Sequence, residues 1–242
     1  MNKKELINSG KVKSVFTTDD DDKVIIEFRD DMTAGDGERK EVMNKKGAYN
    51  AVISAKIFKV LGENGVETQF IDLPEPDVML ARKLDMIPIE VIVRNIATGS
   101  LIRKYPIADG TRLEPPIVQM DFKADEYHDP MLNDSIIKAL GIATQEEIDT
   151  LTEKALKINE VLKEFFADAG IILVDYKVEF GKDKDGNIIL GDEISPDSCR
   201  LWDSETLDML DKELFRKVKD DEVMEAYVEV YNRIIPDDEK VI

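Results

Sequence analysis

The sequence predicts an α+β protein, in which runs of antiparallel strands carry a few helices packed against them. Three observations lead there. Residues 6–28 divide into short alternating segments joined by turns. Residues 87–94 (IPIEVIVR) alternate strongly, with Ile89, Val91 and Val93 on one face and Glu90, Ile92 and Arg94 on the other. From Leu151 the apolar positions Ala155, Ile158, Leu162, Phe165 and Ala169 follow in steps of three and four, the period of a helix.

Composition bounds the chemistry. With 242 residues and 43% hydrophobic content the chain is long enough for one large domain or two small ones. A formal net charge of -19 argues against non-specific binding to nucleic acid or to an anionic membrane. Anionic substrates would therefore need lysine and arginine concentrated locally. The single cysteine, Cys199, excludes an intramolecular disulfide and a cysteine-based zinc cluster, and the single histidine, His128, excludes a histidine-rich metal site. No signal peptide and no apolar run of membrane-span length is visible, so a soluble cytoplasmic protein is expected.

Taken in order, Leu6-Ile7 starts a strand, Asn8-Ser9-Gly10 turns it, residues 11–17 return, the acidic run 19–22 makes an exposed turn, and residues 24–28 form the next strand. A turn bearing Gly10, Lys11 and Lys13 could offer backbone N–H groups and ammonium charge to phosphates, or be an ordinary hairpin with solvated lysines. Residues 30–46 are polar and carry Ala34-Gly35-Asp36-Gly37, which predicts a loop. A helix over 48–61 stops at Asn64-Gly65. Strands follow at 67–73 and 78–84, and Asp85-Met86 marks a boundary that divides the chain into 1–85 and 86–242. Beyond Arg94, Gly99-Ser100 enters a short helix whose N–H groups and hydroxyl suit an anion or simply cap the helix. A short strand is expected at 117–122. Thr144 and Glu147 form a capping box for the long helix, which Gly170 ends. Two helices, 206–218 and 222–234, are expected to close the chain.

Between them lies GIILVDYKVEFGKDKDGNIILGDEISPDSCRLWD, residues 170–203. Asp175, Lys177 and Glu179 share one strand face, and Tyr176, Val178 and Phe180 the other. Taking Asp185-Gly186 as a two-residue turn sets Glu179 opposite Asp192. Two facing carboxylates repel unless a proton or cation sits between them, and hard oxygen ligands favour Mg2+. Lys177 on the same face is a ready phosphate-binding cation. A one-residue slip would bring Glu193 opposite Glu179 instead.

Residues 87–94 with Thr98-Gly99-Ser100, and residues 173–181 (LVDYKVEFG), resemble the two signatures of the SAICAR synthetase (phosphoribosylaminoimidazole-succinocarboxamide synthase) family. Further matches run along the chain: Gly10-Lys11-Val12-Lys13, Ala34-Gly35-Asp36-Gly37, His128-Asp129-Pro130, Asp192-Glu193 with Ser195-Pro196-Asp197, and Arg200-Leu201-Trp202-Asp203. Val12 departs from the pattern, where alanine is usual.

The resemblance implies a kinase-like N-terminal sheet region (1–85) and a C-terminal part similar to ATP-grasp folds (86–242), with ATP between them. It implies an ATP-dependent ligase joining L-aspartate to carboxyaminoimidazole ribonucleotide (CAIR) through an acyl phosphate, and a homodimer or higher homo-oligomer. On that resemblance Gly10, Lys11, Val12 and Lys13 lie near the ATP phosphates, and Lys83, Leu84, Asp85 and Met86 border the adenine. Glu179 and Asp192 hold Mg2+, Arg94, Ser100 and Arg200 grip CAIR, Lys177 stabilises charge between the nucleotides, and Asp36 contacts CAIR or the incoming amine. Three rivals stand beside this reading. A kinase of similar N-terminal architecture would have to use other residues, since the HRD and DFG motifs are absent here. A calcium loop at 183–187 lacks the closing glutamate spacing. A catalytically dead nucleotide-binding protein would retain the motifs without releasing ADP.

Overall fold

The computed structural model describes residues 2–34, 39–216 and 220–242. β1 (Leu6–Ser9), β2 (Lys13–Thr17) and β3 (Lys23–Phe28) open the chain as an antiparallel meander. β4 (Asp31–Ala34) and β5 (Arg39–Val42) pair only with each other and lead into α1 (Lys46–Glu63). β6 (Phe70–Glu75) and β7 (Val78–Arg82) return to the first sheet, whose order is β1-β2-β3-β7-β6. α1 packs Ile53, Ile57, Phe58 and Leu61 against that sheet, and all four are buried.

The second sheet contains β8 (Asp85–Ile96), β9 (Arg112–Phe122) and β10 (Met131–Leu132), with α2 (Ser100–Lys104) between the first two. α3 (Asp134–Ala139) and α4 (Gln145–Asp168) follow, and then β11 (Ile171–Lys182), β12 (Ile188–Gly191) and β13 (Cys199–Asp203). Its order is β10-β9-β8-β11-β12, with β13 also on β11. The expected capping box is present: Thr144 accepts from Glu147 N, and Glu147 accepts from Thr144 N. Gly170, at φ 68, ends α4 as predicted. α4 covers the buried face of β11, where Tyr176, Val178 and Phe180 are each 1% exposed. The opposite face of β11 holds Asp175, Lys177 and Glu179. α5 (Asp220–Ile234) closes the chain against α1. No helix among the described residues is long and apolar enough to cross a membrane.

Four expectations need correction. Residues 30–46 contain a hairpin rather than a loop, with Asp31 opposite Val42 and Ala34 opposite Arg39. Lys40, Glu41 and Val42 of its second strand are all exposed, so no alternation shows in the sequence there. Met32, with Met43 just beyond β5, enters a small second core beside Phe215, Val223 and Tyr227. The helix expected at 206–218 does not form at 206–211, and the described helical turn is a single 3-10 segment, Lys212–Arg216. The backbone there serves β13 instead: Leu210 N donates to Leu201 O, and Asp208 O accepts from Asp203 N. The strand at 117–122 begins earlier, at Arg112, and its prolines lie where the ladder with β8 is interrupted and no N–H is required.

The fourth correction concerns the β11–β12 hairpin. Lys182 faces Ile188 and Glu179 faces Gly191, one residue away from the predicted register. The turn spans 183–187, because the Asp183 carboxylate accepts N–H bonds from Asp185 and Asn187 and widens it. Asp192 leaves the ladder at φ 58, so it does not face Glu179 across it. The residue directly opposite Glu179 on the other neighbour is Glu90 of β8.

Candidate active site

β12 and β13 lie end to end along one edge of β11, β12 on its second half and β13 on its first. Between them the chain loops out over 192–198, and Ser198 O accepts from Lys177 N at 2.8 Å. That break in the ladder opens the polar face of β11 to two adjoining cavities.

The larger, about 480 Å3, lies between the two sheets. Its walls include Gly10, Lys11, Val12 and Lys13 of the first turn, Lys83, Leu84 and Met86 of the inter-sheet link, and Lys177, Glu179 and Asp192. Asp85 is not among the lining residues, although its neighbours are. Asp36 falls outside the described residues. Leu84 and Met86 form an apolar wall by resting on two glycines. A Cβ at Gly181 would stand 2.7 Å from Leu84 Cβ, and one at Gly191 3.0 Å from Met86 Cε.

Carboxylates and lysines alternate through this cavity. Lys13 contacts both Asp192 and Glu193, Lys123 contacts Glu179, and Lys177 donates to Glu90 at 2.6 Å. Burial and the Asp192 charge push the Glu179 carboxyl up to about 7 against the pull of Lys123 and Lys177. Burial would also raise Asp192, but Lys13, Lys123 and Lys177 outweigh it and hold that group below its ordinary value. Burial works against the charge of Lys123 and Lys177 too, and the carboxylates around each overcome it, so both are raised. The predicted acidic pair therefore interacts through a turn instead of across a ladder.

Among the described residues no three His, Cys, Asp or Glu side chains converge as a metal cage. Two carboxylates beside lysines in a cavity of this size fit Mg2+, which commonly takes one or two protein carboxylates and completes its shell with phosphate oxygens and water. Glu179 and Asp192 fit that role.

The smaller cavity, about 240 Å3, is lined by Arg94, Ser100, Asp175 and Arg200, and shares Lys177, Asp197, Ser198 and Lys212 with the larger. Asp175 faces Arg94 in the β11–β8 ladder and binds both guanidinium groups, Arg94 at 3.1 Å and Arg200 at 2.7 Å. Burial raises Asp175 while Arg200 and Arg94 oppose that shift. Arg94 also donates to Ser100 Oγ at 3.2 Å, and its buried Nε has no hydrogen-bond partner. Gly99, at φ 60, leaves room for Arg200: a Cβ there would lie 2.6 Å from Nη2.

The sequence reading missed Lys123 and the part played by Glu90. Glu90 was findable, since it shares a face with Arg94 and strand pairing sets it opposite Glu179. Lys123 lies just past the end of β9 and carries no periodic signal.

An α+β fold with a lysine-lined cavity opening into an arginine-lined one has the arrangement of an enzyme that handles two anionic substrates side by side. The family profile described as SAICAR synthetase matches residues 6–234. A phosphoribosylaminoimidazole-succinocarboxamide synthase of Methanobrevibacter smithii is 85% identical over 241 residues, covering 100% of this chain and 99% of that one. That of Methanothermobacter thermautotrophicus is 55% identical over 231 residues, 96% and 93% of the two chains. A solved SAICAR synthetase in complex with ADP superposes with a TM-score of 0.92 at 49% identity, covering 98% of this chain and 100% of that one. The chain belongs to the SAICAR synthetase family. It is a ligase of purine biosynthesis, using CAIR, L-aspartate and ATP.

Proposed function

We propose that ATP occupies the larger cavity and CAIR the smaller, with their reacting ends meeting at Lys177. The observation that carries this reading is that Lys177 lines both cavities. A carboxylate is a poor electrophile at neutral pH, so activation comes first. A CAIR carboxylate oxygen attacks the γ-phosphorus, the bond to the β-phosphate oxygen breaks, and ADP and an acyl phosphate result. The L-aspartate amine then attacks the acyl carbon, the C–O bond to phosphate breaks, and the amide forms with loss of a proton. Positioning and charge neutralisation carry such transfers. Lys177 steadies the charge passing between the two substrates.

The turn Gly10-Lys11-Val12-Lys13 lies over the phosphates, and the link Lys83-Leu84-Asp85-Met86 borders the adenine, its apolar wall being Leu84 and Met86. Glu179 and Asp192 hold Mg2+, which when bound neutralises phosphate charge. Arg94, Ser100 and Arg200 grip the CAIR phosphate and ribose side, a role supported by the unpartnered Arg94 Nε. Asp36 contacts CAIR or the amine. The nucleotide region 1–85 is kinase-like and 86–242 ATP-grasp-like. The change of sheet at 83–84 supports that boundary, while the packing of α5 on α1 keeps the two parts from being independent.

With CAIR, ATP and Mg2+ present, ADP release should require L-aspartate and yield the succinocarboxamide. Hydroxylamine in place of aspartate should trap the activated carboxyl as a hydroxamate. ADP release indifferent to CAIR and aspartate would overturn the assignment.

A further inference from the structure

One buried charged cluster has no role in the reaction above. Lys46, in the first turn of α1 and 0% exposed, donates to Asp197 Oδ2 at 2.5 Å. Asn50, one turn on, donates to the same oxygen at 3.0 Å. Tyr227 of α5, also fully buried, donates its hydroxyl to Oδ1 at 2.5 Å. Burial and the Asp197 charge hold the Tyr227 hydroxyl well above its ordinary value, so it remains a donor. Desolvating an ion pair costs about as much as its attraction returns, so stability alone does not account for a buried pair. What this one does is geometric: it joins α1, α5 and the 192–198 loop at a single carboxylate.

That loop borders both cavities. Ser198 and Asp197 line each of them, Ser198 O accepts from Lys177 N, and Arg200 follows two residues later. The Tyr227 ring sits in the small core with Met32, Met43, Phe215 and Val223, against the β4–β5 hairpin. Asp197 is thus tied from outside by groups that line neither cavity.

We infer that Lys46, Asn50 and Tyr227 are positioning residues for the reaction, holding the 192–198 loop through Asp197 so that Lys177, Ser198 and Arg200 stand in register across the two cavities. This rests on the placement of CAIR in the smaller cavity. Tyr227→Phe keeps the ring in the small core and removes only the donor. Amide exchange at Ser198 and Cys199 should quicken about tenfold, with kcat/KM for CAIR lower by a similar factor, the scale of one hydrogen bond to a charged group. Exchange along β8 should stay at the parent value, and the KM for ATP should change less than kcat/KM for CAIR, because Asp192 and Glu193 are held separately by Lys13. Asn50→Ala should give the same pattern more mildly, and it serves if Tyr227→Phe folds poorly. Unchanged exchange at Ser198 and Cys199 would overturn the inference. So would equal losses for CAIR and ATP that merely track a lower Tm. A parent enzyme without aspartate-dependent ADP release would instead overturn the reaction assigned above, and the exchange readout would still judge the clamp.

Discussion

The two cavities share Lys177 and Lys212 but differ in their remaining cations. In the larger, every lining cation but Arg82 is a lysine, a point charge on a flexible stem, and Lys13, Lys123 and Lys177 each rest on a carboxylate. In the smaller, Arg94 and Arg200 are planar forks locked on either side of Asp175. The difference teaches how a chain of net charge -19 handles two anions. The arginine pair is held by the protein itself, with Arg94 and Arg200 placed opposite Asp175 by the β8–β11 and β11–β13 ladders. The lysine site is balanced internally, each of these lysines paired with a carboxylate.

The comparison is broken most severely at Glu179. Glu179→Gln should lower activity by at least about 100-fold, the upper end for groups that merely orient a metal ligand. It should also raise the Mg2+ needed for the remaining activity. Because burial and Asp192 already disfavour the Glu179 charge, the variant without Mg-ATP should melt no lower than the parent at pH 8. Equal stabilisation of both proteins by Mg-ATP, with the same Mg2+ dependence, would remove Glu179 from the metal site.

On the arginine side, Arg94→Lys should impair CAIR and spare ATP. Losing a charge-assisted phosphate bond costs roughly 1.5–3 kcal/mol, or about 10- to 100-fold in kcat/KM for CAIR. Unchanged CAIR kinetics would exclude Arg94 from the grip. Gly99→Ala tests whether the fork is preset. A side chain at φ 60 is strained by about 1–3 kcal/mol, and its Cβ displaces Arg200. A raised KM for CAIR with an unchanged KM for ATP is expected, and equal changes in both would show strain alone.

The smallest effect is on pH. Burial pushes the Asp211 carboxyl, which lines the smaller cavity, up to about 7 although two backbone N–H groups donate to it. A folded-state pKa above the unfolded value of 3.8 means the contribution is complete below about 4 and is lost as pH rises through about 7. The parent should therefore lose stability relative to Asp211→Asn between pH 5 and pH 8, and a difference in melting temperature that does not change with pH would contradict the raised pKa.

Much of this was legible where one periodicity meets one environment. The face assignments along β8 and β11 hold residue by residue, because a sheet covered by α4 on one side permits only one set of residues inward. The Thr144 capping box and the stop at Gly170 are local chemistry and are found where the sequence places them. The β4–β5 hairpin was missed because Lys40, Glu41 and Val42 are all exposed and show no alternation. The β11–β12 register was missed because the Asp183 side chain competes with the tight Asp185-Gly186 turn. Over 206–211 the expected helix yielded to hydrogen bonds with β13, a partner invisible to local propensity.

By itself, the sequence determined the α+β class, the inward faces of the strands and the residue types gathered at the motifs, since these follow from local periodicity and turn chemistry. Only the tertiary structure decided which charges meet. Glu90 faces Glu179, Lys123 reaches Glu179 from beyond the end of β9, and Lys46 finds Asp197 from 151 positions away. Ion pairs are set by the distance between side chains once sheets and helices have packed, and neither charge nor spacing along the chain encodes that distance.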